Sequence, residues 1–187
     1  MIVSLTGTPG VGKSTVAEIL RNRGFYVVNI TELAVEKNFT LGYDNKRKSH
    51  IIDIDELRRY IKKEFSDKAE VIILDGHLSH LVNTRGKVIV LRCSPKELKR
   101  RMESKGWNAE KINENLEAEM LDIVLAEAVE MHGEKRVFEI DTTDKSPHKV
   151  ADIIEQIILN KISISDYRAG NVDWSEDILG SELDGAG

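Results

Sequence analysis

Hydrophobic and polar positions along the chain follow two different periods, and these give the first indication of its fold. Short, nearly continuous apolar runs are typical of strands that are buried on both faces, as in a parallel sheet covered by helices. The five strands predicted in this way span residues 2–6, 26–29, 71–75, 88–92 and 136–140.

Between these strands, apolar residues recur every three or four positions, which predicts amphipathic helices. The predicted helices cover residues 14–23, 31–38, 53–65, 96–105 and 109–132, and a last one begins at Ser146 and Pro147. Gly24 directly follows the first helix, where a glycine commonly ends a helix. The segment 39–50 is polar and contains a glycine, so we predict a loop there.

The alternation of strands and helices predicts one α/β domain, in which a parallel sheet lies between two layers of helices. We place this domain at residues 1–160. Residues 161–187 differ in composition, because they are acidic and end in Gly-Ala-Gly, and we predict a partly mobile C-terminal tail. Apolar and aromatic side chains could dock this tail on the domain or on a partner: Tyr167, Trp174, Ile178 and Leu179.

Composition excludes several classes of function for these 187 residues. The net charge of −5 argues against general binding of DNA or other nucleic acid, which usually requires a basic domain. No apolar run approaches the roughly 18 residues of a membrane span, and no apolar leader follows Met1. A single cysteine, Cys93, fits a reducing compartment. We therefore expect a cytoplasmic protein without a membrane partner.

The most informative motif is Gly7-Thr8-Pro9-Gly10-Val11-Gly12-Lys13-Ser14, which lies between a predicted strand and a predicted helix. This is the pattern and the context of a P-loop. Its glycines let successive backbone N–H groups converge on phosphate oxygens, and the following helix presents its positive end there. Lys13 supplies a positive charge for the β- and γ-phosphates, and the Ser14 hydroxyl is a ligand for Mg²⁺. The motif predicts that the chain binds ATP with Mg²⁺.

Asp75 ends the predicted strand 71–75, and His77 follows two residues later. Ligands of a parallel sheet bind outside the carboxyl ends of its strands, so Asp75 is placed to hold a water bound to Mg²⁺. The alternative is that Asp75 caps a helix. His77 is a candidate to orient water or to contact a phosphate, although a single histidine is often structural. We predict a structural role for His80.

Positive charge around the transferred phosphoryl group is the other requirement of this chemistry. The basic stretch 96–105 contains two candidates, Arg101 and Lys105, which are four residues apart and so share one face of a helix. Gly106-Trp107-Asn108 then interrupts the helix and predicts the hinge of a short lid. An exposed basic face explains the other cations of this stretch.

With these motifs the chain resembles the P-loop nucleoside monophosphate kinases. More narrowly, it resembles the atypical adenylate kinase family that is nuclear in eukaryotes and also found in archaea. Four features carry the resemblance: the glycine-rich stretch 7–13, Gly42-Tyr43-Asp44 followed by residues 52–55, Asp75-Gly76-His77, and Leu91-Arg92 with the stretch 106–115.

The resemblance implies a P-loop kinase fold of five parallel strands, with an acceptor-binding insert at residues 29–52 and a short lid at residues 104–114. It implies that ATP binds at Gly10, Gly12, Lys13, Ser14 and Thr15, that Lys105 contacts the donor triphosphate, and that Asp75 and His77 take part in catalysis and in ATPase activity. It also implies an association with small-subunit ribosome maturation, with a small-subunit ribosomal protein and pre-rRNA as partners.

The chain departs from the family pattern at two positions. Lys105 stands where the family often has arginine, so the positive charge is kept but the bidentate fork is lost. Val35 stands in the acceptor-binding region where an arginine would hold the monophosphate. Four cations could replace that arginine: Lys37, Lys46, Arg47 and Arg58.

Two main hypotheses follow. In the first, the chain is an adenylate kinase that converts ATP and AMP into two ADP and also hydrolyses ATP. In the second, it is an ATP-driven ribosome assembly factor whose kinase activity is incidental. A kinase for another small acceptor is a third alternative, because loops decide the choice of acceptor.

Overall fold

The structure is a computed structural model, and it describes residues 1–47, 49–83 and 85–175. Its strands, in chain order, are β1 (Ile2–Thr6), β2 (Tyr26–Asn29), β3 (Thr40–Asp44), β4 (Ser49–Ile52), β5 (Ile72–Asp75), β6 (Lys87–Arg92) and β7 (Val137–Asp141). Its helices are α1 (Lys13–Asn22), α2 (Ile30–Glu36), α3 (Ile54–Phe65), α4 (Ser79–Val82), α5 (Pro95–Ser104), α6 (Ala109–Met120), α7 (Ile123–His132) and α8 (Pro147–Ile158). Short 3-10 helices cover Glu134–Arg136 and Ile164–Tyr167.

Five of the strands form one parallel sheet in the order β2-β5-β1-β6-β7. This sheet confirms the predicted α/β fold. Its order reverses next to β1, so the carboxyl ends of β1, β5 and β6 meet at one edge: Leu5 lies beside Asp75, and Thr6 lies beside Val90. A crevice at such a point is the usual ligand site of this architecture.

Helices cover both faces of the sheet, which is why its strands are almost entirely apolar. On one face Val3, Leu5 and Leu91 pack with residues of α1, α5 and α8. On the other face Ile72 and Leu74 pack with α2 and α3, while the part of that face formed by β6 packs with α7. Packing on both faces of the sheet therefore positions the residues at this edge.

The single helix predicted at residues 109–132 is wrong, because the structure has two helices there, α6 and α7. The break is at Asp122, whose φ of 55° is left-handed. Aspartate tolerates that conformation better than most residues, and the apolar positions keep a helical spacing across the break. Periodicity alone therefore gave no sign of the interruption.

The loop predicted at residues 39–50 is also wrong, since β3 and β4 pair there as an antiparallel hairpin. Its side chains are largely exposed, including Leu41, Tyr43 and Ile51. A strand that buries neither face has no apolar run, so the sequence pattern does not identify it. The predicted acceptor-binding insert thus contains α2 and this hairpin.

The first part of the predicted tail lies against the domain. Arg168 forms a β-bridge with Phe138, and the backbone of residues 170–172 donates to Glu139. Ile178 and Leu179, which we proposed as docking side chains, lie outside the described residues. Over the described ranges, no helix is both long enough and apolar enough to span a membrane.

Candidate functional site

The loop between β1 and α1 is the P-loop predicted from the sequence. Gly7 is essential to its course, because a Cβ at this position would lie 2.3 Å from the carbonyl oxygen of Leu91. Gly12 has a φ of 110° and directly precedes the first residue of α1. The loop therefore leaves the end of β1 and turns directly into a helix N-terminus, as a phosphate site requires.

Lys13 is held inside this loop and is only 8% exposed. Its Nζ donates to the carbonyl oxygens of Gly7, at 2.7 Å, and Thr8, at 3.0 Å. Burial lowers the pKa of Lys13 to about 8, although the negative charges of Asp75 and Glu119 oppose the shift. An anion bound next to this amine would therefore stabilise its charged form, which burial disfavours.

This pKa predicts how nucleotide affinity depends on pH. Phosphate oxygens require the protonated amine, and Lys13 is protonated below pH 8 but increasingly neutral above it. We expect the dissociation constant of Mg·ADP to rise about tenfold between pH 7 and pH 9. Calorimetry in two buffers with different ionisation enthalpies should detect proton uptake on binding at pH 9 and much less at pH 7. An affinity that does not change over this range would contradict the assignment of Lys13.

Asp75 ends β5 directly beside the P-loop strand and is 5% exposed. Burial raises the pKa of its carboxyl group, and the positive charge of Lys13 opposes this shift. The helix-capping alternative is not supported, because the described N-cap of the nearby helix α4 is Leu78. Asp75 and Ser14 line the same cavity and supply the hard oxygen ligands that Mg²⁺ prefers.

These two residues fit Mg²⁺ that arrives with a nucleotide, since this ion is usually held by one or two protein oxygens together with phosphates. Among the described residues, no group of three or more histidine, cysteine, aspartate or glutamate side chains is placed to hold a metal ion.

His77 also lines the cavity. Burial lowers the pKa of its imidazole to about 4, and the charge of Lys13 acts in the same direction. The ring is therefore neutral at physiological pH. Its backbone carbonyl accepts from the Thr6 hydroxyl at 3.0 Å, which fixes the His77 backbone against β1.

His80, for which a structural role was predicted, lies behind this segment and is 1% exposed. Its Nδ1 is 3.0 Å from the Thr6 hydroxyl, and its Nε2 is 3.1 Å from a carboxylate oxygen of Glu127. These contacts agree with a structural role, because the ring joins β1 to α7 beneath the site.

The cavity at the sheet edge has a volume of about 400 Å³. It brings together most of the residues predicted from the sequence, namely Gly10, Gly12, Lys13, Ser14, Thr15, Asp75, His77 and Lys105. The lining also includes residues that the sequence analysis did not name as site residues: Asn29, Thr31, Glu32 and Trp107. Asn29 ends β2, and its side chain accepts from the N–H groups of Thr31 and Glu32 at the start of α2.

Arg101 is placed differently from the other predicted site residues. Its guanidinium donates to the carbonyl oxygens of Val11, at 3.1 Å, and Thr142, at 2.9 Å, and it also contacts Glu97 at 2.8 Å. These contacts tie the P-loop to the segment after β7. They indicate a positioning role, so the catalytic role of Arg101 stays a prediction.

A second cavity, of about 330 Å³, lies on the other side of the P-loop. Gly10, Gly12, Thr15 and Lys105 line both cavities, and the second also includes Arg101, Thr142, Lys145 and Pro147. The segment 142–147 after β7 was not identified from the sequence. Because the two cavities share the phosphate loop, an extended ligand can span both of them.

The four cations that could replace the family arginine have other partners in the structure. Lys46 pairs with Glu110 at 2.6 Å, Arg47 lies 3.6 Å from Glu114, and Lys37 pairs with Glu36 at 2.8 Å. Arg58 donates to the carbonyl oxygen of Leu81 and to Asp55. Val35 itself is exposed. In the described part of the chain, the cations that line the first cavity are Lys13 and Lys105.

Comparisons with known proteins agree with this geometry. A family model described as "AAA domain" matches residues 3–122. A protein of Methanothermobacter thermautotrophicus named "Putative adenylate kinase" is 44% identical over 179 residues, which cover 96% of this chain and 100% of that protein. A protein of Methanococcus maripaludis with the same name is 39% identical over 183 residues, covering 95% of this chain and 97% of that protein.

Among solved structures, a shikimate kinase from Acinetobacter baumannii in complex with shikimate has a TM-score of 0.59 and 16% sequence identity. The match covers 87% of this chain and 95% of that chain. At this level of identity the likeness shows a shared P-loop kinase fold.

Proposed function

The chain belongs to an adenylate kinase-like family of P-loop kinases, and from this membership we propose that it transfers the γ-phosphate of ATP to AMP in a Mg²⁺-dependent reaction. The observation that carries the proposal is the first cavity. Its lining includes the P-loop with Lys13, Asp75 and His77, and also a group from the predicted acceptor-binding insert, here called the acceptor wall: Asn29, Thr31 and Glu32. The phosphates of a donor and an acceptor can therefore meet within a single cleft.

Phosphoryl transfer depends on positioning the substrates and on stabilising charge, and different residues of the site would serve each need. The P-loop amides and Lys13 bind the β- and γ-phosphates, and Lys105 adds positive charge from the lid. Ser14 and Asp75 would hold the Mg²⁺, which neutralises negative charge on the phosphates. His77, neutral at working pH, can accept or donate one hydrogen bond to the acceptor or to a water molecule.

A specific observation favours ATP hydrolysis as a second candidate. The acceptor wall formed by Asn29, Thr31 and Glu32 carries no positive charge. The phosphate of AMP would therefore have to contact Lys13 or Lys105, or a cation that would first have to leave its ion pair. A water molecule as the acceptor needs no cation. In this alternative, ATP hydrolysis would serve the role in small-subunit ribosome maturation that the resemblance implies. That association, with a ribosomal protein and pre-rRNA as partners, stays a prediction from the resemblance.

One assay separates transfer from hydrolysis. Purified protein is incubated with Mg·ATP alone and with Mg·ATP plus AMP, and ADP is followed by chromatography. We expect AMP to raise ADP formation severalfold, with two ADP formed for each ATP consumed, and we expect ATP to form from ADP in reverse. If AMP does not stimulate ADP formation and no ATP forms from ADP, the kinase proposal is wrong and ATP hydrolysis is the activity.

The same assay tests the assignment of Asp75. Replacing Asp75 with asparagine should lower activity about 10- to 100-fold and raise the Mg²⁺ concentration needed for half-maximal rate, because a neutral amide holds a metal-bound water less firmly. Asp67→Asn is the matched control, since Asp67 is exposed in a turn after α3. Unchanged Mg²⁺ dependence in the Asp75 variant would show that this carboxylate does not serve the metal.

A further inference from the structure

A buried cluster of charged side chains lies behind the P-loop, outside both cavities. At its centre is Arg92, at the end of β6, which is 1% exposed. Its guanidinium donates to Glu119 of α6 at 2.7 Å and to Glu139 of β7 at 2.6 Å, and it also pairs with Asp122. Charged groups are buried in this way only when nearly every polar atom has a partner.

One guanidinium does not balance the two buried carboxylates of Glu119 and Glu139, while the third partner, Asp122, is half exposed to solvent. The remaining negative charge is stabilised by backbone N–H groups, and for Glu139 these come from the C-terminal segment. The N–H groups of Gly170, Asn171 and Val172 donate to one oxygen of Glu139 at 3.0, 3.0 and 3.2 Å. The segment 170–174, here called the strap, therefore supplies contacts that the buried cluster requires.

Trp174 extends the strap to the other carboxylate of the cluster. Its indole Nε1 lies 3.4 Å from an oxygen of Glu119, and the guanidinium carbon of Arg92 lies 5.9 Å from the ring centroid. The same oxygen of Glu119 accepts from Arg92 and from the N–H of Cys93 at 3.1 Å. The strap thus touches the charges on both sides of Arg92.

The second oxygen of Glu119 contacts the P-loop. It accepts a hydrogen bond of 2.5 Å from the hydroxyl of Thr8, which is 1% exposed. The carbonyl of Thr8 in turn accepts from the Nζ of Lys13 at 3.0 Å. Thr8 of the P-loop therefore has two partners. Its hydroxyl donates to Glu119, and its carbonyl accepts from Lys13, the lysine proposed to bind phosphate.

We propose that Glu119 is a positioning residue for the P-loop, and that the strap 170–174 sets its position, so that seating of the strap and binding of nucleotide favour one another. The chain of contacts runs from Trp174 to Glu119, Thr8 and Lys13, and each step is a hydrogen bond between buried or half-buried groups. The coupling rests on the proposed binding of nucleotide at the P-loop, and it does not depend on which acceptor is used.

The coupling is reciprocal, because two binding events that share one free-energy term affect each other equally. Displacing the strap removes three N–H donors from Glu139. Arg92 then has to satisfy Glu139 more fully at the expense of Glu119, and Thr8 loses its fixed partner. In the other direction, phosphate bound by Lys13 stabilises the loop conformation in which Thr8 reaches Glu119.

A double-mutant cycle on Mg·ADP affinity tests the proposal. Thr8→Val removes the hydroxyl and keeps the shape of the side chain, while Trp174→Phe keeps an aromatic ring and removes the indole N–H. We expect the dissociation constant to rise about tenfold in Thr8→Val and about threefold in Trp174→Phe. Both substitutions remove hydrogen bonds from the same chain of contacts. The double variant should therefore bind Mg·ADP about as weakly as Thr8→Val alone.

Two control variants keep the cycle interpretable. Thr8→Ser retains the hydroxyl that reaches Glu119 and should recover most of the Mg·ADP affinity that Thr8→Val loses. Asp173→Asn alters the strap at an exposed carboxylate that accepts from Ser175, and it should leave affinity unchanged. Thermal unfolding of every variant, measured without nucleotide, separates loss of the fold from loss of coupling.

The outcomes are distinct. Single effects that multiply in the double variant would overturn the coupling while leaving nucleotide binding and the proposed function in place. Failure of the unaltered protein to bind Mg·ADP would overturn both. As a reciprocal readout, Mg·ADP should slow amide hydrogen exchange in a peptide covering residues 168–174, and this slowing should be absent in Thr8→Val. Equal slowing in both proteins would also overturn the proposal.

Discussion

Replacing Lys13 with methionine should lower the rate of phosphoryl transfer by about a thousandfold, the upper part of the range for losing one electrostatic contact to a transition state. The reason is the position of the amine, which lies inside the P-loop, 8% exposed and bonded to the carbonyls of Gly7 and Thr8. Methionine has a similar length but brings no charge. The measurement is kcat/KM for ATP in the chromatographic assay of ADP formation.

Lys63→Met is the matched control, because the Lys63 side chain is 83% exposed on α3, away from the cavity. Its activity should equal that of the original protein. The Lys13 variant should also remain folded, since it loses a buried charge rather than a part of the core. A Lys13→Met protein that is folded and retains more than about a tenth of the activity would refute the electrostatic role of this lysine.

The second large effect is on stability and concerns Arg92. Arg92→Met should lower the free energy of unfolding by about 3–5 kcal/mol, because it leaves the buried carboxylates of Glu119 and Glu139 without their cation. For a chain of this length, such a loss corresponds to a fall of about 6–20 °C in Tm. Burial already raises the pKa of Glu139 against the opposing charge of Arg92. The loss should therefore be smaller at low pH, where the variant can protonate this carboxyl group.

Arg59→Met provides the comparison, because Arg59 forms an exposed i,i+3 ion pair with Glu56 on α3. Exposed pairs of this kind contribute little to stability, and the midpoint of unfolding should barely move. Chemical denaturation with urea, followed by circular dichroism, measures both variants. Equal stability of the two would mean that the buried cluster contributes no more than a surface pair.

The phosphate-binding half of the site was predictable from the sequence because it is local. Eight consecutive residues specify the loop between β1 and α1, and the neighbouring strand and helix are marked by clear periodicity. Asp75 and His77 were found by a simple topological rule, since they follow a buried strand whose carboxyl end must lie beside that of β1. For these residues, the order of the chain and the geometry of a parallel sheet suffice.

The acceptor wall could have been found by the same rule, applied once more. Asn29 ends β2, and β2 pairs with β5 so that Asn29 lies beside Asp75. The polar residues Asn29, Thr31 and Glu32 were therefore identifiable as neighbours of the site. The family pattern instead drew attention to the position of Val35, whose side chain is exposed on α2.

Contacts between distant segments could not be predicted. Helical spacing predicts that Arg101 and Lys105 share one face of a helix. It does not predict that Arg101 contacts the carbonyls of the segment after β7 while Lys105, which follows α5, lines the cavity. The partnership of Thr8 and Glu119 joins residues 111 positions apart. Its only sign in the sequence is a glutamate at an inward position of a helix, where periodicity would favour an apolar residue.

The β3–β4 hairpin has a consequence for the connection between the predicted insert and the predicted lid. The turn of the hairpin carries Lys46 and Arg47, which reach Glu110 and Glu114 in the first half of α6. The predicted insert and the predicted lid are thus joined by two ion pairs. Because these pairs consist of exposed charges, they are weak in water and are screened by salt. We therefore expect added salt to loosen the connection between the predicted insert and the predicted lid, whatever reaction the site carries out.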